Sequence, residues 1–167
     1  MEFMTGTVLA FAAAIFAYLI GLDRDRGFYP TVLIVIASYY DLFAIASGSA
    51  RALGLETAAM AVFVLLSVVG FKTNLWIVVG ALAGHGIFDA AHGYVIVDAG
   101  VPSWWPGFCL SYDLVTASCL AWLLARSALN ADLEPGSAED HAAARAPEPL
   151  KRASPPVRQA SPQAALA

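Results

Sequence analysis

The stretch GHGIFDAAHG, residues 84–93, sets His85, Asp89 and His92 in a chain otherwise nearly free of charge. Imidazole and carboxylate groups bind transition metals, carry protons and act as general acids and bases near neutral pH. On a helix, at roughly 100° per residue, Asp89 lies about 40° round from His85 and His92 about 20° the other way, so the three form one stripe. Two overlapping pairs result, His85 with Asp89 at i,i+4 and Asp89 with His92 at i,i+3. A carboxylate between two imidazoles can fix each tautomer and raise its basicity. His85, Asp89 and His92 are therefore the candidate catalytic residues, with one histidine as base or proton carrier and Asp89 as its orienter.

A metal centre is the other chemistry open to these residue types. In the H-E-x-x-H zinc motif the histidines are adjacent on the helix, whereas His85 and His92 are about 10 Å apart along it. One ion bound here needs at least one ligand from another helix. Asp41 in SYYDLF and Asp113 in CLSYDL supply the carboxylates, so the metal-ligating candidates are His85, His92, Asp41 and Asp113, a set suited to a divalent ion such as zinc or iron. Haem with two axial histidines is excluded, because the remaining histidine, His141, lies outside the apolar part of the chain. Histidine-rich oxygenases and desaturases need more histidines than the three present.

The elements that position these groups follow from composition. Of 167 residues, 59% are hydrophobic and 13% charged, with a mean hydropathy of +0.68; soluble domains carry about 25% charged residues. A hydrocarbon core of about 30 Å takes roughly 20 apolar residues per helix, and the stretches 4–22, 29–48, 53–71, 75–97 and 104–126 meet that length. The expected fold is an all-α polytopic transmembrane bundle of five spans over 1–130, followed by a disordered cytoplasmic tail over 131–167. The tail holds six of the nine prolines and no aromatic residue, a composition that does not bury a core. Residues 1–22 lack the basic start of a signal peptide and read as a retained first helix. A net charge of −4 offers no basic surface to nucleic acid. Cys109 and Cys119, roughly 15 Å apart on one helix, cannot pair.

Arg24, Arg26, Lys72 and Arg126 fall on one side of a five-span chain and Arg51 on the other. The positive-inside rule then predicts N-terminus outside and C-terminus cytoplasmic. Trp76 and Trp122 take the inner interface and Trp104 and Trp105 the outer, with GVPSWWPG as an interfacial anchor.

Asp41, His85 and Asp113 come out roughly 15–18 Å from their span ends, near the midplane. Gly80 and Gly84 form a small-xxx-small face that admits a second helix, within the chain or in a homo- or hetero-oligomer. Polar groups in lipid also serve as plain interhelical hydrogen bonds, at about 0.6 kcal/mol each; five ionisable groups at similar depth favour a site. Tyr39, Tyr40 and Tyr112 flank the aspartates within donating reach, although a tyrosine in a span more often serves packing, and Cys109 reads as a small buried hydrophobe. Three functions remain open: acid/base or metal-assisted chemistry on a small or lipidic substrate, proton- or cation-coupled transport with Asp41 and Asp113 titrating, and a structural or partner-binding membrane subunit.

The tract from Gly84 to Asp113, carrying HGIFDAAHG, GVPSWWP and FCLSYD, resembles a pattern in small uncharacterised bacterial multi-pass membrane proteins. The resemblance covers 30 of 167 residues and implies a multi-pass protein of a bacterial inner membrane, with no activity to carry over. The histidine arrangement differs from those of alkaline ceramidases and membrane carotenoid oxygenases.

Overall fold

The computed structural model describes residues 1–133, with side chains through residue 130. Among them there are five α-helices and no strand: α1 (Glu2–Ile20), α2 (Phe28–Ser47), α3 (Ala50–Lys72), α4 (Leu75–Val95) and α5 (Trp105–Leu133). All five are long and apolar enough to cross a membrane. The expected tail lies outside the described residues except for 131–133, which continue α5 beyond the predicted end at 126. The α4 span closes at Val95 rather than 97, because Ile96 is already extended.

The helix boundaries have local causes. Gly21 (φ 77°) and Gly48 (φ 69°) end α1 and α2 in the left-handed conformation that glycine adopts without a Cβ penalty. Ser49 and Asn74 open α3 and α4 by accepting hydrogen bonds from the Ala52 and Trp76 amides. Pro106 sits in the first turn of α5, where its missing N–H costs nothing.

Contacts between the connections sort the bundle into two ends. At the first, Ser47 donates to Asp98 at 2.8 Å, a Cβ on Gly100 would strike the Phe43 carbonyl, and Glu2 packs on Gly107. At the second, Arg26 donates to the carbonyls of Phe71 (2.7 Å) and Thr73 (3.0 Å), closing the free C-terminus of α3. The second end therefore gathers the connections that carry Arg24, Arg26 and Lys72, the grouping expected from the basic residues.

Large apolar side chains cover the outside: Phe3, Val8, Phe11, Ile15 and Leu19 of α1 are all at least half exposed. Such a surface is what a bilayer solvates. Inside, the half of the bundle nearer the second end is filled by Tyr29, Leu33, Val78, Leu82 and Leu120. Because lipid is as apolar as leucine, this core is held by close packing and interhelical hydrogen bonds. Ser67 of α3 supplies one, donating to the Pro30 carbonyl at 2.7 Å.

Candidate functional site

The half of the bundle nearer the first end has a polar interior. Its buried ionisable groups are Glu56 on α3, His85, Asp89 and His92 on α4, and Asp113 on α5, each at most 2% exposed. No lysine or arginine is buried with them among the described residues. The stripe expected on α4 thus faces inward along its whole length.

At the deeper level, His85 Nδ1 lies 2.7 Å from Asp113 Oδ2 and 3.3 Å from Asp89 Oδ2. A single N–H serves one acceptor well, and it serves Asp113. With that carboxylate accepting, the proton sits on Nδ1 and Nε2 is left as the basic nitrogen. Asp89 takes its own donor from α2, where the Tyr40 hydroxyl lies 2.6 Å from Oδ1. Two buried carboxylate oxygens, Asp89 Oδ2 and Asp113 Oδ1, have no hydrogen-bond partner among the described residues. Phe63 presents its edge to the His85 ring at 4.7 Å, so the cluster is walled by aromatic carbon.

The approach of α5 is set by Gly86. A Cβ there would lie 3.3 Å from both the Asp113 Cβ and the Leu110 carbonyl oxygen, tighter than ordinary contact. Hydrogen at that position lets the Asp113 backbone close on α4 until its carboxylate reaches the imidazole. Gly80 and Gly84, predicted as the close-packing face, meet nothing within 4 Å inside the chain.

Nearer the first end, His92 Nε2 pairs with Glu56 Oε1 at 2.6 Å, and the Tyr40 ring stacks on the His92 ring at 4.3 Å. Tyr40 therefore touches both levels, through its hydroxyl below and its ring face above. Glu56 Oε2 is buried without a partner.

Three features differ from expectation. Asp41 lies apart from this interior; it is partly exposed and its carboxylate accepts from Thr57 at 3.1 Å. One residue turns a helix by about 100°, so with Tyr40 pointing inward Asp41 points away. The expected second pair, Asp89 with His92, gives way to Asp89 with Tyr40 and His92 with Glu56, because partners on other helices meet the two groups head-on. Glu56 itself escapes sequence reasoning: it stands close behind Arg51 at the start of a span, where a carboxylate reads as interfacial. Its signal is the apolar residues that follow it in ETAAMAVF.

Cys109 is buried on α5 and lines a groove of about 890 Å³ between α1 and α2, with Val32, Ile36, Phe108 and Tyr112 among its walls. The groove exists because α1 leans on α5: a Cβ on Gly6 would strike the Phe108 carbonyl and Ser111 Oγ. Its rim at the first end carries Glu2, Thr5, Trp104 and Trp105.

Comparison with protein-family models, with curated proteins and with solved structures finds no match to this chain.

Proposed function

We propose that this multi-pass membrane protein houses a one-sided intramembrane reaction centre that performs acid/base chemistry on a small or lipidic substrate. The observation that carries this reading is the position of His85, hydrogen-bonded to Asp113 with Asp89 beside it, at the blind end of a polar interior. An imidazole whose Nδ1–H is held by a carboxylate presents Nε2 as a general base, an arrangement worth about 10²–10⁴-fold in rate where it acts. Asp113 is then the orienting group. Asp89, fixed by Tyr40, supplies the charge that favours the imidazolium formed in the reaction.

Depth separates this reading from transport. A conduit for ions needs ionisable groups from face to face, and among the described residues the buried carboxylates and imidazoles run from the midplane toward the first end. The other half is closed by Leu33, Val78, Leu82 and Leu120, none more than 2% exposed. The Glu56–His92 pair lies on the polar side, between the centre and the near face. The groove lined by Cys109, one helical turn from Asp113 on α5, is where the chain of a lipidic substrate would lie beside the centre. By the positive-inside rule the first end faces the periplasm of a bacterial inner membrane.

Proteoliposomes provide the test. Wild-type protein should convert at least one component of a total lipid extract, seen by mass spectrometry, and His85→Ala and Asp113→Asn should abolish the conversion. An unchanged extract combined with pH-gradient-driven flux would replace the reaction centre with a transporter.

A further inference from the structure

We infer that the deeper cluster is a divalent metal site in which His85, Asp89 and Asp113 are the ligands. The inference rests on the reading of that cluster as a reaction centre and names its cofactor; with an ion on Nδ1 the imidazole proton moves to Nε2, so His85 serves the loaded centre as a ligand and only the metal-free centre as a base. Geometry comes first. One ligand atom from each of the three residues lies within 4.8 Å of the other two. Bonds of about 2.0–2.2 Å at tetrahedral angles place donors roughly 3.3–3.5 Å apart. His85 Nδ1 and Asp89 Oδ2 already stand at 3.3 Å. Asp113 Oδ2, at 2.7 Å, needs roughly 0.6–0.8 Å of opening once the ion replaces the proton it shares with Nδ1.

The partnerless oxygens point the same way. Tyr40 occupies Asp89 Oδ1 and leaves Oδ2, the oxygen beside His85, without a donor. Asp113 Oδ1 is bare as well. Bare carboxylate oxygens inside a bundle are costly; an ion beside His85 Nδ1 satisfies Asp89 Oδ2 directly and reaches Asp113 Oδ1 where that carboxylate binds through both oxygens.

Charge balance is the third argument. Glu56, Asp89 and Asp113 carry three negative charges when ionised, against two imidazoles and, among the described residues, no buried lysine or arginine. Two imidazolium ions would still leave one negative charge in lipid. Set against that sum, a divalent ion on Asp89 and Asp113 cancels the two carboxylates it binds. One nitrogen and two carboxylate oxygens suit Zn²⁺, Mn²⁺ or Fe²⁺ and leave a coordination position for substrate. The ligand set departs from the sequence-derived one: Asp89 enters, while Asp41 and His92 fall outside. Tyr40, donating to the far oxygen of Asp89, positions that ligand.

The experiment is metal analysis of the full chain in detergent, stripped with chelator and then dialysed separately against Zn²⁺, Mn²⁺ and Fe²⁺. One ion per chain is expected for at least one metal, with Co²⁺ substitution giving visible absorption bands shared by nitrogen and oxygen ligation. His85→Ala and the isosteric Asp113→Asn should lose the ion while remaining monodisperse and helical. Tyr40→Phe should weaken binding about 10–100-fold, and Asp41→Asn and His92→Ala should retain full stoichiometry. Wild-type protein that takes up none of these ions, or Asp113→Asn protein that binds as well as wild type, overturns the site. If lipid conversion persists in metal-free protein and still depends on His85, the reaction centre stands and only its cofactor fails.

Discussion

His85 on α4 and Asp113 on α5, 28 positions apart in sequence, meet at 2.7 Å in the interior of the bundle. Their meeting depends on the residue next to His85, since a side chain on Gly86 would press on the Asp113 Cβ and the Leu110 carbonyl. The chemistry of the cluster and the packing of two helices are thus set by adjacent positions.

Gly86→Ala should therefore push α5 away and cost about 1–3 kcal/mol, the range for overpacking a close contact. Gly84→Ala, with open space around its Cβ, should be neutral or stabilising by up to about 1 kcal/mol, because alanine is the better helix former. Thermal unfolding of the two variants in the same detergent compares them directly. Equal losses would mean that α4 and α5 do not meet at Gly86.

Tyr40 and Asp41 offer a neighbouring-residue contrast. Tyr40→Phe removes the 2.6 Å hydrogen bond to Asp89 and should cost about 0.6–1.7 kcal/mol, the span for buried polar pairs in membrane bundles. Asp41→Asn keeps an acceptor for Thr57 at a partly exposed position and should change stability by less than about 0.5 kcal/mol. A larger effect for Asp41 would move it back into the site.

The Glu56–His92 pair should behave as a coupled unit. His92→Ala leaves Glu56 buried without its partner, while the double variant Glu56→Ala/His92→Ala removes both groups. A double-mutant cycle should return a favourable coupling of about 0.6–1.7 kcal/mol. Additive single effects would show that the 2.6 Å contact contributes nothing.

Sidedness is checked by reporter fusions. An enzyme reporter after residue 130 should report a cytoplasmic C-terminus, and one inserted in the 48–50 turn a periplasmic location, as the basic residues require. The reverse pattern would turn the polar half of the bundle toward the cytoplasm.

The membrane class and the number of spans were legible in the sequence because twenty-residue apolar runs have few alternative fates. So was the α4 stripe: helical periodicity alone places His85, Asp89 and His92 on one side, and all three are buried. Which groups face that stripe was a different matter. A span's hydropathy says how deep a residue sits but not how its helix is rotated, so Asp41 read as the site group and Tyr40 as its flanking neighbour until packing turned Tyr40 in and Asp41 out. Glu56 and Asp113 come from helices whose approach to α4 is decided by side-chain volumes at the contacts, Gly86 among them. Composition and periodicity dictated what this protein is made to live in and which face of α4 is polar. Partners across the bundle are settled by helix rotation and closeness, and these exist only once the helices are packed.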